Sequence, residues 1–359
     1  MKFSCDKYVL QQAAASAARA AAPKSPIAAL EGLLLEAGAD LRITGYDLKK
    51  AIYTNMEADI PEPGSVLVGA RLFCEMLRRM PDGIVTVEAE NGTVTVRCGR
   101  SSFNLVGMSA EDYPDLPSVE AENGVSLPQD LLKKMINECS FAVSTNESRP
   151  VYMGTLFEIA HNELTMVSVD GYRLALRREP VEGYGDDCSF IVPGTALSDL
   201  ERLCGDSDER VKMSVGSTVI LSRRLEGDFL NYKKAIPESF RITVKTARTD
   251  LLDVVERVSL IVDSKNNAPL RLTFRKDAID FVCTTPLGKA ADSCPCEGDG
   301  GDLEIGFNDH YLSDALKAAP ADELNVCLNT GSSPCIFVPA DGSDNFVYMV
   351  LPVRLRAGQ

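Results

Sequence analysis

Residues 164–170 read Leu-Thr-Met-Val-Ser-Val-Asp, and residues 41–47 read Leu-Arg-Ile-Thr-Gly-Tyr-Asp. Apolar and polar side chains alternate in both segments, which predicts β-strands with one buried face. The two segments end in Asp170 and Asp47, which lie 123 positions apart. A weaker third copy, Ile-Asp-Phe-Val-Cys-Thr, occupies residues 279–284. The chain therefore contains an internal repeat with a period near 120 residues, a feature that decides the fold before any other.

The repeat extends to the segments on both sides of these strands. Each copy begins with a short strand and an amphipathic helix, at residues 3–22, 125–140 and 242–262. Each copy later has a strand that leads into a second helix, at residues 65–80, 190–204 and 303–319. Hairpins close the copies, and Asn91-Gly92 between two valine-rich runs is typical of a type I′ turn.

The matched order of these segments predicts an α+β fold of three tandem similar domains. Each domain has the predicted order β-α-β-β-β-α-β-β-β, with two helices packed on antiparallel sheets. Turn-forming residues place the domains at residues 1–120, 121–239 and 240–359. Three similar units can form an arc, and an arc that meets its own copy head to tail closes into a ring.

Composition limits the class of protein. The net charge is −15, whereas proteins that bind nucleic acid tightly through surface contacts are usually basic. A ring that encloses a duplex is not excluded, because its hold is topological. The eleven cysteines are odd in number and scattered singly, which is not a disulfide framework. No apolar run is long enough to span a membrane, and the start lacks a signal-peptide pattern, so a cytoplasmic protein is expected.

Catalytic and cofactor motifs are missing from the sequence. The only histidines, His161 and His310, lie in no recognisable motif, and no phosphate-binding or dinucleotide-binding glycine pattern occurs. Residues 297–302, Glu-Gly-Asp-Gly-Gly-Asp, have too few alternating acidic residues for a calcium loop and are interpreted as a solvated hairpin loop. We therefore expect a binding or scaffolding protein without catalytic residues, metal or cofactor.

Basic residues lie on the predicted helices of all three units. Our hypothesis is that many of them face DNA in the hole of a ring; they are Arg19, Arg71, Arg78, Arg79, Lys133, Lys134, Arg202, Arg257 and Lys317.

Several motifs in this chain resemble one known family. The start Met-Lys-Phe and the segments at residues 147–154, 169–175, 225–237, 308–316 and 348–355 resemble, in order, motifs of the bacterial DNA polymerase III beta subunit, the beta sliding clamps. Such clamps have three similar domains per chain and form a head-to-tail homodimer, a ring of six domains around duplex DNA. The resemblance implies a non-catalytic protein that tethers the replicative polymerase and confers processivity. It also implies a clamp loader and other polymerases and repair proteins as partners.

In this family, partners dock through a short motif of the Gln-Leu-Phe type. The resemblance carries the docking groove to Val169, Gly171, Tyr172, Arg173, Leu174, Leu230, Lys234, Asn308, Tyr311, Val350, Leu351, Pro352, Val353 and Arg354. The chain departs from the family pattern where Tyr172 replaces a histidine, Lys234 an arginine, and Leu351 and Val353 methionines. Residues 356–359 extend past the usual terminal leucine.

The same resemblance implies further contacts. Lys24 and Asn146 correspond to positions that touch DNA, and Phe103, Ile261 and Val262 to positions at the dimer interface. Two other interpretations stay open. One is a homologue with the clamp fold that serves as an inhibitor-resistant or repair-specific scaffold. The other is a hydrolytic enzyme on a β-rich scaffold, which the missing nucleophile and base disfavour.

Overall fold

A computed structural model describes residues 1–116, 126–182, 187–204, 210–212, 218–222, 225–262 and 268–355. The predicted boundary between residues 120 and 121 and the extension at residues 356–359 lie outside these described residues. The helices within them are α1 (Lys7–Ala18), α2 (Ala70–Arg79), α3 (Gln129–Ser140), α4 (Gly194–Leu203), α5 (Tyr232–Ala235), α6 (Arg248–Ser259) and α7 (Asp309–Ala318).

The strands follow the chain in order. They are β1 (Lys2–Asp6), β2 (Gly32–Ala37), β3 (Leu41–Tyr46), β4 (Lys50–Met56), β5 (Asp59–Glu62), β6 (Gly64–Gly69), β7 (Ile84–Glu90), β8 (Thr93–Cys98), β9 (Ser101–Val106), β10 (Ser126–Pro128), β11 (Gly154–Ala160), β12 (Glu163–Val169), β13 (Arg173–Pro180), β14 (Cys188–Pro193), β15 (Arg210–Lys212), β16 (Thr218–Ser222), β17 (Ile242–Ala247), β18 (Leu270–Thr285), β19 (Gly288–Phe307), β20 (Glu323–Leu328), β21 (Cys335–Pro339) and β22 (Phe346–Val350).

The chain divides into two compact units. The first consists of Met1–Lys133, Glu182–Gly185 and Thr195–Arg223, and the second of Lys134–Val181, Asp186–Gly194 and Arg224–Gln359.

The first unit contains two five-stranded antiparallel sheets. Their strand orders are β5-β1-β7-β8-β9 and β16-β4-β3-β2-β6, and β10 pairs with β15 separately. Helices α1 and α2 bury one apolar stripe each, and Leu10 and Phe73 are fully buried in a core shared with Leu35, Ile43 and Val87. Asp6 begins α1, because its carboxylate accepts hydrogen bonds from the first-turn N–H groups.

Gly45 permits the closest approach of β3 to α1. A Cβ atom at this position would lie 2.0 Å from the carbonyl oxygen of Ala17. We expect Gly45→Ala to lower the free energy of unfolding by about 1–3 kcal/mol, because a backbone clash forces the helix off the sheet. Thermal unfolding tests this, with Gly38→Ala as control, since no atom lies within 4 Å of a Cβ at Gly38. An unchanged melting temperature for Gly45→Ala would contradict this packing.

The second unit is built on one ten-stranded sheet of order β14-β11-β12-β13-β22-β21-β20-β17-β19-β18. The pairing of β13 with β22, from Arg173 opposite Val350 to Arg177 opposite Phe346, joins strands that are far apart in sequence. Helices α6 and α7 bury Val255 and Leu312 among aromatic side chains of β18 and β19.

The predicted repeat reappears as one backbone contact made three times. Isolated β-bridges pair Leu67 with Met108, Ile191 with Leu225 and Gly306 with Val353. In each case the strand that precedes a second helix (α2, α4 or α7) bonds to the segment that follows the last strand of the same copy. This correspondence confirms the threefold repeat. The Asn91-Gly92 turn is also confirmed, with φ angles of 50° and 74°.

Two details of the predicted order are wrong. More than three strands lie between the helices of the first two copies, because β5 is an additional strand and both β4 and β13 were missed. Lysine and arginine side chains interrupt the apolar alternation of β4 and β13, so pattern alone does not reveal these strands. Residues 297–302 are not a hairpin loop: they belong to β19, where the register against β18 shifts twice, and the hairpin turns at residues 286–287.

Candidate functional site

A tight turn between β12 and β13 forms one side of the candidate groove. The carboxylate of Asp170 accepts hydrogen bonds from the backbone N–H groups of Tyr172, at 2.9 Å, and Arg173, at 3.0 Å. Gly171 has a φ of +94°, which favours glycine. The turn leaves the side chain of Tyr172 58% exposed, while its carbonyl oxygen accepts a hydrogen bond from Leu351 N–H at 2.8 Å. The turn thereby lies against the chain after β22.

An aromatic pair and an arginine form a firm wall. The rings of Tyr172 and Tyr311 stack with centroids 5.6 Å apart. The Arg173 guanidinium lies 4.8 Å from the Tyr311 centroid and donates to Asp170 at 3.0 Å and Asp314 at 2.5 Å. The side chain of Asn308 caps α7 by accepting a hydrogen bond from the Tyr311 N–H at 3.1 Å. Because each member is held by another, this wall is organised without a ligand.

Burial keeps the Tyr311 hydroxyl protonated over a wider pH range. Desolvation raises the pKa of this phenol, and the nearby Asp170 carboxylate adds to the rise. The wall therefore presents neutral tyrosine rings beside a fixed positive charge at neutral pH.

Apolar side chains form the adjoining surface. Half-buried Leu230 and Leu351 pack on a cluster that includes the buried Val169, Leu174 and Met349. Tyr152 and Phe229 belong to the same cluster and meet edge to face, with ring centroids 5.7 Å apart. A half-buried apolar surface beside oriented polar groups suits leucine or phenylalanine anchors of a peptide.

The residues carried over from the family have different environments. The turn, the wall and the apolar surface bring together Val169, Gly171, Tyr172, Arg173, Leu174, Leu230, Asn308, Tyr311 and Leu351. Leu174 and Val350 are fully buried strand residues, so they support the surface without lining it. Pro352 and Val353 are half-buried, and Val353 N–H donates to the Gly306 carbonyl at 2.8 Å. Lys234 and Arg354 are exposed, and within the described residues neither side chain forms a hydrogen bond or ion pair.

The basic residues predicted to face DNA are unequally paired. Arg71, Arg78 and Arg79 are exposed on α2, Arg202 is exposed on α4, and Lys24 and Asn146 are exposed in loops. Lys133 is half-buried and Lys134 exposed on α3. By contrast, three others bond to carboxylates, in the pairs Arg19–Asp199, Arg257–Asp292 and Lys317–Glu256.

The residues predicted at the dimer interface lie in apolar surroundings. Phe103, on the edge strand β9, is 43% exposed, and Val106 on the same strand is 83% exposed. Ile261 and Val262 follow α6 and are half-buried, next to Leu260, which is 82% exposed.

Several other features concern ligands and membranes. All eleven cysteines are free. Among the residues that the structure describes, no group of three His, Cys, Asp or Glu side chains could hold a metal ion. Within that same part of the chain, no helix has the length and apolar character needed to cross a bilayer.

Family models match the chain almost from end to end. The N-terminal, central and C-terminal domains of the DNA polymerase III beta subunit match residues 1–117, 126–232 and 233–354. The chain belongs to the DNA polymerase III beta subunit family. It has three tandem clamp domains of the α+β class, as the repeat predicted.

Relatives in this family match over their full length. The beta sliding clamp of Synechocystis is 31% identical over 395 residues, covering 99% of this chain and 100% of that protein. Crystal structures of the sliding clamp of Bacillus subtilis and the beta subunit of Pseudomonas aeruginosa are each 26% identical. Their TM-scores are 0.93 and 0.92, and each comparison covers 99% of this chain and 100% of that one.

Sequence reasoning missed several residues of the candidate groove. Tyr152 and Phe229 lie inside motifs that resemble those of the beta subunit family, yet only their neighbours were carried over. Asp170 and Asp314 were missed although they hold Arg173 in place. The motif spacing could have indicated Tyr152 and Phe229, but no sequence signal links Asp314 to Arg173, 141 positions away.

Proposed function

We propose that this protein is a DNA sliding clamp that encircles duplex DNA and tethers the replicative polymerase during synthesis. The proposal is carried by the three consecutive clamp-domain matches along a single chain. Sliding clamps act without chemistry of their own, so the protein is a non-catalytic subunit that confers processivity. Its place of action is the cytoplasm, beside the bacterial chromosome.

In this proposal two chains meet head to tail and close a ring of six domains. The domain boundaries lie after residues 120 and 239. Phe103 of one subunit meets Ile261 and Val262 of the other, and exposed apolar side chains beside them, Val106 and Leu260, favour a stable interface. Basic helix residues, together with Lys24 and Asn146, face the duplex.

The groove around Tyr172, Tyr311, Leu230 and Leu351 is the proposed docking site for partners. Its apolar surface accepts the Leu and Phe side chains of a Gln-Leu-Phe type motif, and the wall orients the peptide. The replicative polymerase, the clamp loader and other polymerases and repair proteins share this site, so their binding is mutually exclusive at one groove.

Two measurements test the ring. Sedimentation over a wide range of concentrations should give a species of twice the subunit mass of 38.9 kDa that persists on dilution. The dimer should bind a short linear duplex with open ends and lose most of that binding when bulky groups block both ends, because a ring threads only over a free end. A strict monomer, or equal binding to both duplexes, would overturn the proposal.

A further inference from the structure

Corresponding helix faces in the first and third clamp domains differ in charge. On α2, the exposed side chains of Arg71, Glu75 and Arg78 line up at spacings of four and three residues, and Arg79 lies beside them. Three arginines against one carboxylate make this face positive. The opposite face of α2 is buried in the core of the first unit.

The charges of α2 are available to a ligand. Arg71 is 93% exposed, and its ion pair with Glu75, at 3.7 Å, is a weak surface pair. Arg78 and Arg79 lie in the last turn, and among the described residues no carboxylate lies within 4.0 Å of either guanidinium. The carbonyl dipole at this helix end favours the two cations, so their charge is not compensated elsewhere in the first unit.

The helices of the third domain have the reverse arrangement. Asp250, Asp253 and Glu256 are exposed on α6. The two cations nearby are neutralised, because Lys317 of α7 bonds to Glu256 at 2.9 Å and Arg257 of α6 bonds to Asp292 at 2.7 Å. A phosphate that approached this face would have to displace an existing carboxylate partner.

We propose that this clamp holds the DNA backbone chiefly through Arg71, Arg78 and Arg79 on α2, while the acidic faces of α6 and α7 repel it. This inference rests on the proposed clamp function, which places these helices around the duplex. Exposed charges act over about one Debye length, roughly 8–10 Å at physiological salt. Phosphates therefore respond to the nearest helix face, so the duplex is held closer to the first domain of each subunit than to the third.

An uneven contact also suits a ring that must slide. Each lysine or arginine that neutralises a phosphate releases a counterion and adds to the affinity, which opposes movement along the duplex. Restricting these contacts to a few arginines in a chain of net charge −15 keeps the hold weak and leaves retention to the closed ring.

The test measures the affinity of the dimer for a short, open-ended linear duplex as a function of salt. Reversing two charges, Arg78→Glu with Arg79→Glu, should weaken binding on the order of 10–100-fold and lower the salt slope by about 2, roughly one per lost phosphate contact. The neutral pair Arg78→Gln with Arg79→Gln should give the same loss of slope without adding negative charge. Arg257→Glu with Lys317→Glu should change the slope much less.

A matched control lies on the sheets of the first unit. Arg42 and Arg97 are exposed there, and Arg42→Glu with Arg97→Glu makes the same change in net charge without touching a helix. If this control or the Arg257/Lys317 pair weakens binding as much as the α2 pair, the inference is wrong. The duplex with blocked ends separates the two proposals: equal wild-type binding to both duplexes removes the clamp function itself. A preference for open ends combined with an inert α2 removes only the inference.

Discussion

Leu351→Asp is expected to lower the affinity for a synthetic peptide of the Gln-Leu-Phe type by 100-fold or more. Leu351 is half-buried in the apolar cluster of the groove, next to Leu230 and above Leu174. A carboxylate here would have to lose its water when the apolar anchor of the peptide binds. Truncation of a central interface anchor commonly costs about 2 kcal/mol or more, and a buried charge adds to that loss.

Titration calorimetry with the purified dimer measures this change. Leu287→Asp is the matched control, because Leu287 is 74% exposed in the turn between β18 and β19. Leu351→Ala serves as the milder variant if the aspartate disturbs folding, which thermal unfolding reports. Peptide affinity that stays at the wild-type value in both Leu351 variants would place the docking groove elsewhere.

The parts of the fold that could be predicted are those that local pattern determines. Helices α1, α2, α6 and α7 have apolar stripes at helical spacing, and Asn91-Gly92 determines its own turn. The repeat then supplied the arrangement of three domains. Strands β4 and β13 were missed because side chains such as Lys50 and Arg177 interrupt the alternation, and their burial depends on partners distant in sequence: Asp199 for Lys50, Glu138 for Arg177.

The groove shows a similar limit. Family resemblance supplied Tyr172 and Tyr311 separately, but their stacking depends on tertiary structure that brings together residues 139 positions apart. Alternation also cannot show that Leu174 and Val350 are fully covered, because neighbouring strands and the cluster beneath the groove provide the cover. The charge difference between α2 and α6 was hidden for the same reason: a lysine in a sequence does not reveal that a glutamate already neutralises it.

Arg177→Met is expected to destabilise the pairing of β13 with β22 by about 3–5 kcal/mol, since it removes one partner of a buried ion cluster. The Arg177 side chain is 7% exposed, and it donates to the carboxylates of Glu138 and Glu179. It also donates to the carbonyl oxygens of Arg178, at 2.7 Å, and Asn345, at 2.9 Å. Methionine fills similar space but leaves two largely buried carboxylates and two carbonyls without this donor.

Native-state hydrogen exchange at the amides of β13 and β22 measures the local free energy of opening. Arg178→Met is the neighbouring control. Arg178 bonds to the 87% exposed Asp344, so its loss should cost less than about 1 kcal/mol. Adding Glu138→Gln and Glu179→Gln to Arg177→Met should restore part of the loss. Equal exchange in the Arg177 and Arg178 variants would show that the cluster does not stabilise this pairing.

The deficit of Arg177→Met should also depend on pH. Burial already raises the pKa of Glu138 in the wild type, although the hydrogen bond and charge of Arg177 oppose that rise. Without the arginine, the folded-state pKa rises further above the unfolded value, so the folded chain binds this proton more readily. The variant therefore loses stability as pH rises through the raised pKa and regains it as pH falls towards the usual carboxyl range. A deficit that stays constant from neutral to mildly acidic pH would show that Glu138 does not carry the cost.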